Sequence, residues 1–200
     1  MRFFRPWFFC VQLYPEAVFR IKTIEKILCL TFDDGPDPLS TVTLLEILDK
    51  FSIKALFFCD GRKAFKYREL ISLIKSAGHI IGNHGYNHPD GLFTSGKKYL
   101  EDIKLADSLT SDKLFRPPYG RMRRGQYLKI RTDYRIIMWD LMPYDFDKKF
   151  GSERSLEILK KKIRPGSVIV LHDTSAGTTL EFIEDFISYS ITAGYRFDLP

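Results

Sequence analysis

Short, continuous apolar runs alternate along this chain with stretches in which apolar residues recur at helical spacing. The apolar runs lie at residues 26–32, 54–59, 79–82, 113–116, 134–139, 167–171 and 195–199. The helical spacing is found at residues 39–51, 63–77, 97–109, 123–131, 152–162 and 178–193. Strands that are apolar at every position are buried on both faces, which is typical of parallel sheets. The alternation therefore predicts an α/β fold with a parallel sheet, either a barrel or a doubly wound sheet.

The length and composition are compatible with one folded domain. The chain has 200 residues, of which 44% are hydrophobic, and it shows no internal repeat. This is enough apolar material for a full core and excludes the disordered and low-complexity classes. We predict a single domain over residues 26–200 and an N-terminal segment, residues 1–25, that docks on it.

The N-terminal segment carries Arg2 and Arg5 ahead of an apolar run at residues 7–11. This arrangement faintly resembles a signal peptide, but Pro6 interrupts it and no small-residue cleavage site follows. The run is far shorter than the roughly 20 residues that cross a bilayer. We expect no transmembrane segment, while peripheral membrane contact by this segment stays open.

The cysteine count bears on the compartment. The chain has three cysteines, which cannot all pair: Cys10, Cys29 and Cys59. A disulfide framework is therefore not expected, and a reducing compartment, the cytoplasm rather than the exterior, is favoured.

The net charge is mildly basic, with 31 basic and 25 acidic residues giving +6. The densest basic stretch consists of Arg121, Arg123, Arg124, Lys129, Arg131 and Arg135. It can be a solvated helix face or an approach surface for an acidic or phosphorylated glycan. No recognised nucleic-acid-binding motif accompanies these charges, so no nucleic-acid partner is predicted.

Polar residues of catalytic types follow five of the predicted strands. They are Asp33-Asp34-Gly35-Pro36, Asn83-His84 with His88, Arg116 with the loop 117–120, Asp140 with Asp145, and His172-Asp173. Each group alone has a structural explanation, since Asp-Asp-Gly-Pro is also a turn sequence. In parallel barrels, however, the active site lies at the carboxyl ends of the strands. Their joint occurrence predicts an active site at that end.

These residue types suit metal-assisted hydrolysis. His84 and His88 are four residues apart, so one helical turn would place both imidazoles on one side. One carboxylate would complete a His₂Asp set with an open position, the pattern of a catalytic zinc site. Asp33 and Asp34 point apart, so one can bind metal while the other accepts a proton from a bound water. His172, on another strand, is suited to protonating a leaving group.

The chain resembles the polysaccharide deacetylase family, also called the NodB-homology domain or carbohydrate esterase family 4. Four motifs carry the resemblance: Thr31-Phe32-Asp33-Asp34-Gly35-Pro36, His84-Gly85-Tyr86-Asn87-His88, Arg116-Pro117-Pro118-Tyr119-Gly120 and Val170-Leu171-His172. The match covers residues 26–199. It implies a distorted (β/α)7–8 barrel that removes N-acetyl groups from a peptidoglycan- or chitin-like sugar and releases acetate.

The resemblance also implies a role for each matching residue. The metal ligands would be Asp34, His84 and His88, holding a divalent ion, Zn²⁺ first, with Co²⁺, Ni²⁺ or Fe²⁺ as alternatives. Asp33 would be the catalytic base, oriented by Arg116, and the backbone N–H of Tyr119 would bind the oxyanion. His172 would be the general acid and Asp145 its partner, with Asp140 as the alternative partner.

The substrate-binding residues implied in the same way are Pro117, Tyr119, Phe146 and Val170. A further family motif, Asp-x-x-Asp-Trp, precedes the last one along the chain and is altered here to Met142-Pro143-Tyr144-Asp145-Phe146. In the last motif, Val170 stands where the family has a leucine. These changes leave the catalytic set complete and put the identity of the substrate in question. An O-acetyl esterase and an imide-type hydrolase are alternatives on the same site. A glycan-binding domain without catalysis is the alternative from another functional class.

Overall fold

A computed structural model describes residues 2–110 and 112–200. The strands are β1 Ile27–Asp33, β2 Leu56–Cys59, β3 Ile80–Asn83, β4 Leu114–Phe115, β5 Arg135–Ile136, β6 Ser167–His172 and β7 Arg196–Phe197. The helices are α1 Phe8–Leu13, α2 Thr41–Lys50, α3 Gly61–Lys66, α4 Arg68–Ser76, α5 Gly96–Ala106, α6 Arg124–Ile130, α7 Ser152–Lys162 and α8 Thr179–Thr192. A 3₁₀ turn spans Pro118–Gly120.

The strands form one parallel sheet in the order β5-β4-β3-β2-β1-β6, with β7 paired to the start of β1. A further parallel bridge joins Leu141, beyond β5, to Ile169 of β6. Because β5 and β6 lie at opposite ends of the strand order, this bridge curls the sheet towards closure. The predicted α/β barrel of parallel strands is confirmed in this distorted form.

The core explains why the apolar runs became strands. All seven residues of β1 are buried, as are the four of β2. Helices α2 and α8 cover them with apolar side chains at helical spacing: Leu44, Leu45, Leu48, Phe182, Ile183, Phe186 and Ile187. Each fully buried side chain of this size contributes roughly 1.5–3 kcal/mol. The sheet is thereby fixed as a rigid platform.

The strand register places the polar strand ends side by side. Asp33 at the end of β1 is the register partner of His172 at the end of β6, and also of Phe58 in β2. Asn83, which ends β3, is paired with Cys59 and with Phe115. The loops that carry the sequence motifs consequently leave the sheet along one edge.

One predicted helix, residues 63–77, is wrong in its extent. The structure has two helices there, with Tyr67 in a non-helical conformation between them. Helix α3 begins earlier, at Gly61, because the Asp60 carboxylate accepts the backbone N–H of Lys63. The backbone N–H of Gly61 donates to the Gly85 carbonyl, which ties α3 to a site loop, while α4 packs on the core. One straight helix could not make both contacts.

Part of the N-terminal segment packs against the barrel. The ring of Phe4 meets that of Tyr144, with 5.5 Å between centroids. Arg5 donates to the Asp140 carboxylate and to the carbonyl of Lys162. Within residues 2–110 and 112–200, no helix combines the length and apolarity that a membrane crossing needs.

Candidate active site

Three predicted ligands converge at the carboxyl edge of the sheet. Oδ1 of Asp34 lies 3.1 Å from Nε2 of His88 and 3.5 Å from Nε2 of His84. Tetrahedral zinc with bonds of 2.0–2.1 Å holds its ligand atoms about 3.3 Å apart. Oδ1 of Asp34 is also buried, with no hydrogen-bonding partner among the described residues. A buried carboxylate oxygen facing two imidazole nitrogens fits a divalent metal and leaves a coordination position for other ligands.

The pKa shifts of Asp34 and His84 favour the forms that bind metal, whereas the hydrogen bond and charge of Asp34 outweigh burial at His88 and raise its pKa. Nδ1 of His84 lies 2.8 Å from the carbonyl oxygen of Arg116, so Nδ1 carries the proton and the lone pair of Nε2 faces the candidate metal position beside Asp34. Burial lowers the pKa of His84, which keeps this ring neutral. Burial alone would raise the pKa of Asp34, but its contact with His88 and the other imidazoles around it outweigh burial and lower it. Metal ligation requires these deprotonated forms.

The two histidines are brought together by a loop, so the predicted helical turn is wrong. Gly85 has φ +77° and His88 has φ +53°, both incompatible with a right-handed helix. The carboxylate of Asp102 accepts the backbone N–H of Tyr86 at 2.7 Å and that of Asn87 at 3.1 Å. Asp102 was not predicted. The sequence feature that could have identified it is its position, an acidic residue on the buried face of α5, where an unpaired charge would be costly.

The Asp34 turn has two supports whose positioning roles were not predicted. Asp34 itself has φ +70°, and Nζ of Lys63 donates to its carbonyl at 2.7 Å. On the other side, the backbone N–H of Asp173 donates to the Asp33 carbonyl at 2.9 Å. Strained backbone of this kind persists only where its surroundings over-determine it. Lys63 and Asp173 therefore position the carboxylate pair.

Arg116 is buried and directed at Asp33. Its Nη1 donates to Oδ1 of Asp33 at 2.7 Å and to Oγ1 of Thr31 at 2.6 Å. The other donors reach the carbonyls of Ile137 and Met138. Oδ2 of Asp33 lies 3.9 Å from Nε2 of His84, so the free oxygen of this carboxylate faces the candidate metal position.

His172 pairs with Asp145. Oδ1 of Asp145 lies 3.1 Å from Nδ1 of His172, and Oδ2 accepts the His172 backbone N–H at 2.7 Å. Burial by itself would lower the pKa of His172, but the charge and hydrogen bond of Asp145 raise it to about 9. The alternative partner, Asp140, is wrong, because its carboxylate contacts Arg5, Arg164 and Ser167.

We expect Asp145→Asn to shift the basic limb of the pH profile of kcat to lower pH. A proton donor at position 172 works only below its own pKa, which is about 9 in the native chain. Removing an opposite charge at this distance lowers such a pKa by about 1–3 units. Asp140→Asn is the matched control, since it removes a buried carboxylate that does not touch His172. An unmoved basic limb in Asp145→Asn would exclude the pairing from catalysis.

These groups share one cavity of about 420 Å³. The four predicted substrate-binding residues, Pro117, Tyr119, Phe146 and Val170, all line it, together with Arg121, Trp139 and Met142, which were not among those four. The ring of Phe146 packs against His172 with centroids 5.0 Å apart. Tyr119 has φ +57°, and a Cβ at the following Gly120 would overlap the ring of Trp139. Only glycine lets this loop approach the tryptophan so closely.

The basic stretch is largely engaged in local contacts. Arg121 pairs with Asp90 at 2.5 Å and is the member of the stretch that borders the cavity. Arg123 donates to the Leu92 carbonyl. These arginines therefore mainly hold neighbouring loops in place, and the stretch does not form one free cationic surface.

Known proteins resemble the chain over most of its length. A sequence profile described as Polysaccharide deacetylase matches residues 20–135. A peptidoglycan-N-acetylglucosamine deacetylase of Bacillus cereus is 32% identical over 179 residues, covering 84% of this chain and 64% of that protein. A chitooligosaccharide deacetylase of Azorhizobium caulinodans is 33% identical over 163 residues, 77% of each protein.

A solved structure gives the same result for the fold. The crystal structure of the Bc1960 peptidoglycan N-acetylglucosamine deacetylase, in complex with 4-naphthalen-1-yl-N-oxidanyl-benzamide, superposes with a TM-score of 0.88 at 29% identity. The superposition covers 96% of this chain and 93% of that one. The chain nevertheless spans less than two thirds of the Bacillus cereus protein named first. The profile matches more than half of the sequence, so the predicted family is confirmed, and the chain belongs to the polysaccharide deacetylase family.

Proposed function

We propose that this chain is a metal-dependent hydrolase that removes N-acetyl groups from a peptidoglycan- or chitin-like glycan and releases acetate. The observation that carries the proposal is the joint geometry of the cavity. A His₂Asp set lies at its base, with the Asp33–Arg116 pair and the His172–Asp145 pair beside it. The deacetylase names of its relatives support the reaction class.

Asp34, His84 and His88 would hold the metal, for which we propose Zn²⁺, with Co²⁺, Ni²⁺ or Fe²⁺ able to replace it. A metal held there would supply Lewis-acid polarisation of the acetyl carbonyl and would acidify a water molecule. Proton transfer, and hydrogen bonding to the reacting atoms, would be carried out by side chains and backbone groups of this chain.

Asp33 accepts a proton from the attacking water through its free Oδ2, while Arg116 holds Oδ1 and fixes the carboxylate. The water oxygen then bonds to the carbonyl carbon. We propose that the backbone N–H of Tyr119 hydrogen-bonds the oxyanion that develops. His172 donates its proton to the nitrogen as the C–N bond breaks, which gives acetate and a free amino sugar. Asp145 keeps His172 protonated and aimed.

The direct test measures acetate released from chitooligosaccharides and from peptidoglycan fragments, with acetylated xylan as an ester substrate. Release from the amide substrates supports the proposal. Release from the ester alone, with His172→Ala retaining it, would identify an esterase, because an alkoxide leaves without full protonation. Binding of glycans with no release would indicate a binding domain instead.

Metal content tests the ligand assignment separately. We expect the purified protein to bind one divalent ion per chain and His84→Ala to lose it, because two remaining ligands hold zinc poorly. His79→Gln is the matched control: this histidine accepts the Ala55 N–H away from the cavity and should leave the metal content unchanged. Elemental analysis after dialysis measures both variants. Full metal content in His84→Ala would contradict the assignment.

A further inference from the structure

The N-terminal segment exposes an unusual amount of apolar surface. We define the N-terminal apolar patch as Phe3, Trp7, Phe8, Phe9, Val11 and Leu13, all of them exposed. Phe8 is 71% exposed, Phe9 68% and Trp7 51%, and no residue of α1 is buried. Isolated exposed apolar side chains are ordinary, but here six lie within eleven residues of chain, with Phe3 packed on Trp7 and Phe8 on Phe9, and such a concentration marks an interaction surface.

The patch is displayed from a fixed base. Phe4 packs against Tyr144 and Phe150, while Arg2 pairs with Asp147 at 2.5 Å. These contacts hold the residues next to the patch against the barrel. Helix α1 is therefore presented outwards without first having to fold onto a partner.

Lysines lie beside the base of this surface. Arg5 donates to the carbonyl of Lys162, whose Nζ lies 5.8 Å from the ring centroid of Phe4. We define the basic rim of the patch as Lys162 and the pair Lys148 and Lys149, which lies between Asp147, the partner of Arg2, and Phe150, which packs on Phe4. The neighbouring acids are neutralised, because Asp147 pairs with Arg2 and Asp140 pairs with Arg5 and Arg164. The rim therefore presents an excess of positive charge.

We propose that the N-terminal apolar patch and its basic rim form a docking surface for an anionic lipid bilayer. Tryptophan and phenylalanine partition into the interfacial layer of a membrane, and lysines beside them are attracted by anionic headgroups. A second copy of the chain fits this face poorly. A two-fold contact would bring the same patch against itself and oppose the lysine rim of one copy to that of the other.

Docking there places the cavity beside the membrane. The backbone of Phe3 exchanges two hydrogen bonds with the hydroxyl of Tyr144, both 3.1 Å. The Tyr144 ring contacts Phe146, which contacts His172 in the cavity. One chain of contacts thus runs from the patch to the cavity wall, so the lipid surface would lie near the cavity mouth.

Vesicle flotation tests the proposal without any assay of activity. Wild-type protein should float with vesicles of an equal mixture of phosphatidylcholine and phosphatidylglycerol and much less with phosphatidylcholine alone. The double variant Phe8→Ser/Phe9→Ser should lose at least about tenfold in partitioning, since it removes two inserted rings. Phe65→Ser is the matched control, because Phe65 is 54% exposed on α3 and should have no effect.

The charged rim has its own variant. Lys148→Gln/Lys149→Gln should weaken binding to the anionic vesicles by roughly fivefold per lysine and leave binding to the neutral vesicles unchanged. Lys97→Gln, a distant exposed lysine, is the control. A blue shift of the Trp7 emission on vesicle addition, absent in Trp7→Phe, reports insertion.

Two results would overturn the proposal. One is equal flotation of wild type and Phe8→Ser/Phe9→Ser. The other is a wild-type dimer in light scattering that this double variant converts to a monomer while vesicles bind neither form, since the face would then be occupied by a second copy.

Discussion

Asp33→Asn should lower kcat for N-acetyl hydrolysis by about 100-fold to 10,000-fold, the range typical of a lost general base. The substitution preserves the shape of the side chain, and an amide oxygen can still accept the hydrogen bond from Nη1 of Arg116. The amide cannot take up a proton from water at neutral pH. Turnover should therefore fail while the geometry of the cavity is retained.

Two measurements separate this effect from damage to the site. Asp33→Asn should keep its metal content, because Asp34, His84 and His88 form the ligand group without it. Asp49→Asn, an exposed carboxylate on α2, should keep the kcat of the wild type. Wild-type kcat in metal-replete Asp33→Asn would show that another group accepts the proton.

The residues that act along the strand ends could be predicted from sequence because parallel strands end together. A continuous apolar run precedes each of Asp33, His84, Arg116 and His172. The register of the parallel strands then places these residues next to one another at one edge of the sheet. The positioning residues could not be predicted in this way. Asp102 lies far from His84 along the chain, and its contact depends on how α5 packs against the sheet rather than on any local pattern.

The choice between Asp140 and Asp145 shows the same limit. Both follow the fifth apolar run, so spacing alone left both open as partners of His172. The backbone N–H of Asp140 donates to the carbonyl of Val168, and its carboxylate binds Ser167 at the opposite end of β6. Ser167 and His172 are five residue steps apart along the strand, which is about 16.5 Å at ~3.3 Å per step. The register of a short bridge therefore decided which carboxylate reaches the histidine.

Arg116→Met should lower the free energy of unfolding by about 3–5 kcal/mol, the usual cost of removing one partner from a buried ion pair. The guanidinium is 1% exposed and lies 4.3 Å from the ring centroid of Phe58, so methionine can fill much of its volume. What methionine cannot do is compensate the buried charge of Asp33. The loss should therefore come mainly from an unpaired carboxylate rather than from a cavity.

Because the lost free energy of unfolding comes from an unpaired carboxylate, it should depend on pH. An unpaired buried carboxylate has a raised pKa in the folded state, so the folded protein binds a proton more tightly than the unfolded chain does. The stability that Arg116→Met loses relative to wild type should accordingly be smallest at low pH and grow as the pH rises through that pKa. Urea unfolding at several pH values measures it, with the exposed Arg154→Met as the control.

Adding Asp33→Asn to Arg116→Met should recover part of the lost stability and flatten the pH dependence, because the uncompensated charge is then gone. A double variant less stable than Arg116→Met would show instead that Arg116 acts mainly through its hydrogen bonds to Thr31, Ile137 and Met138.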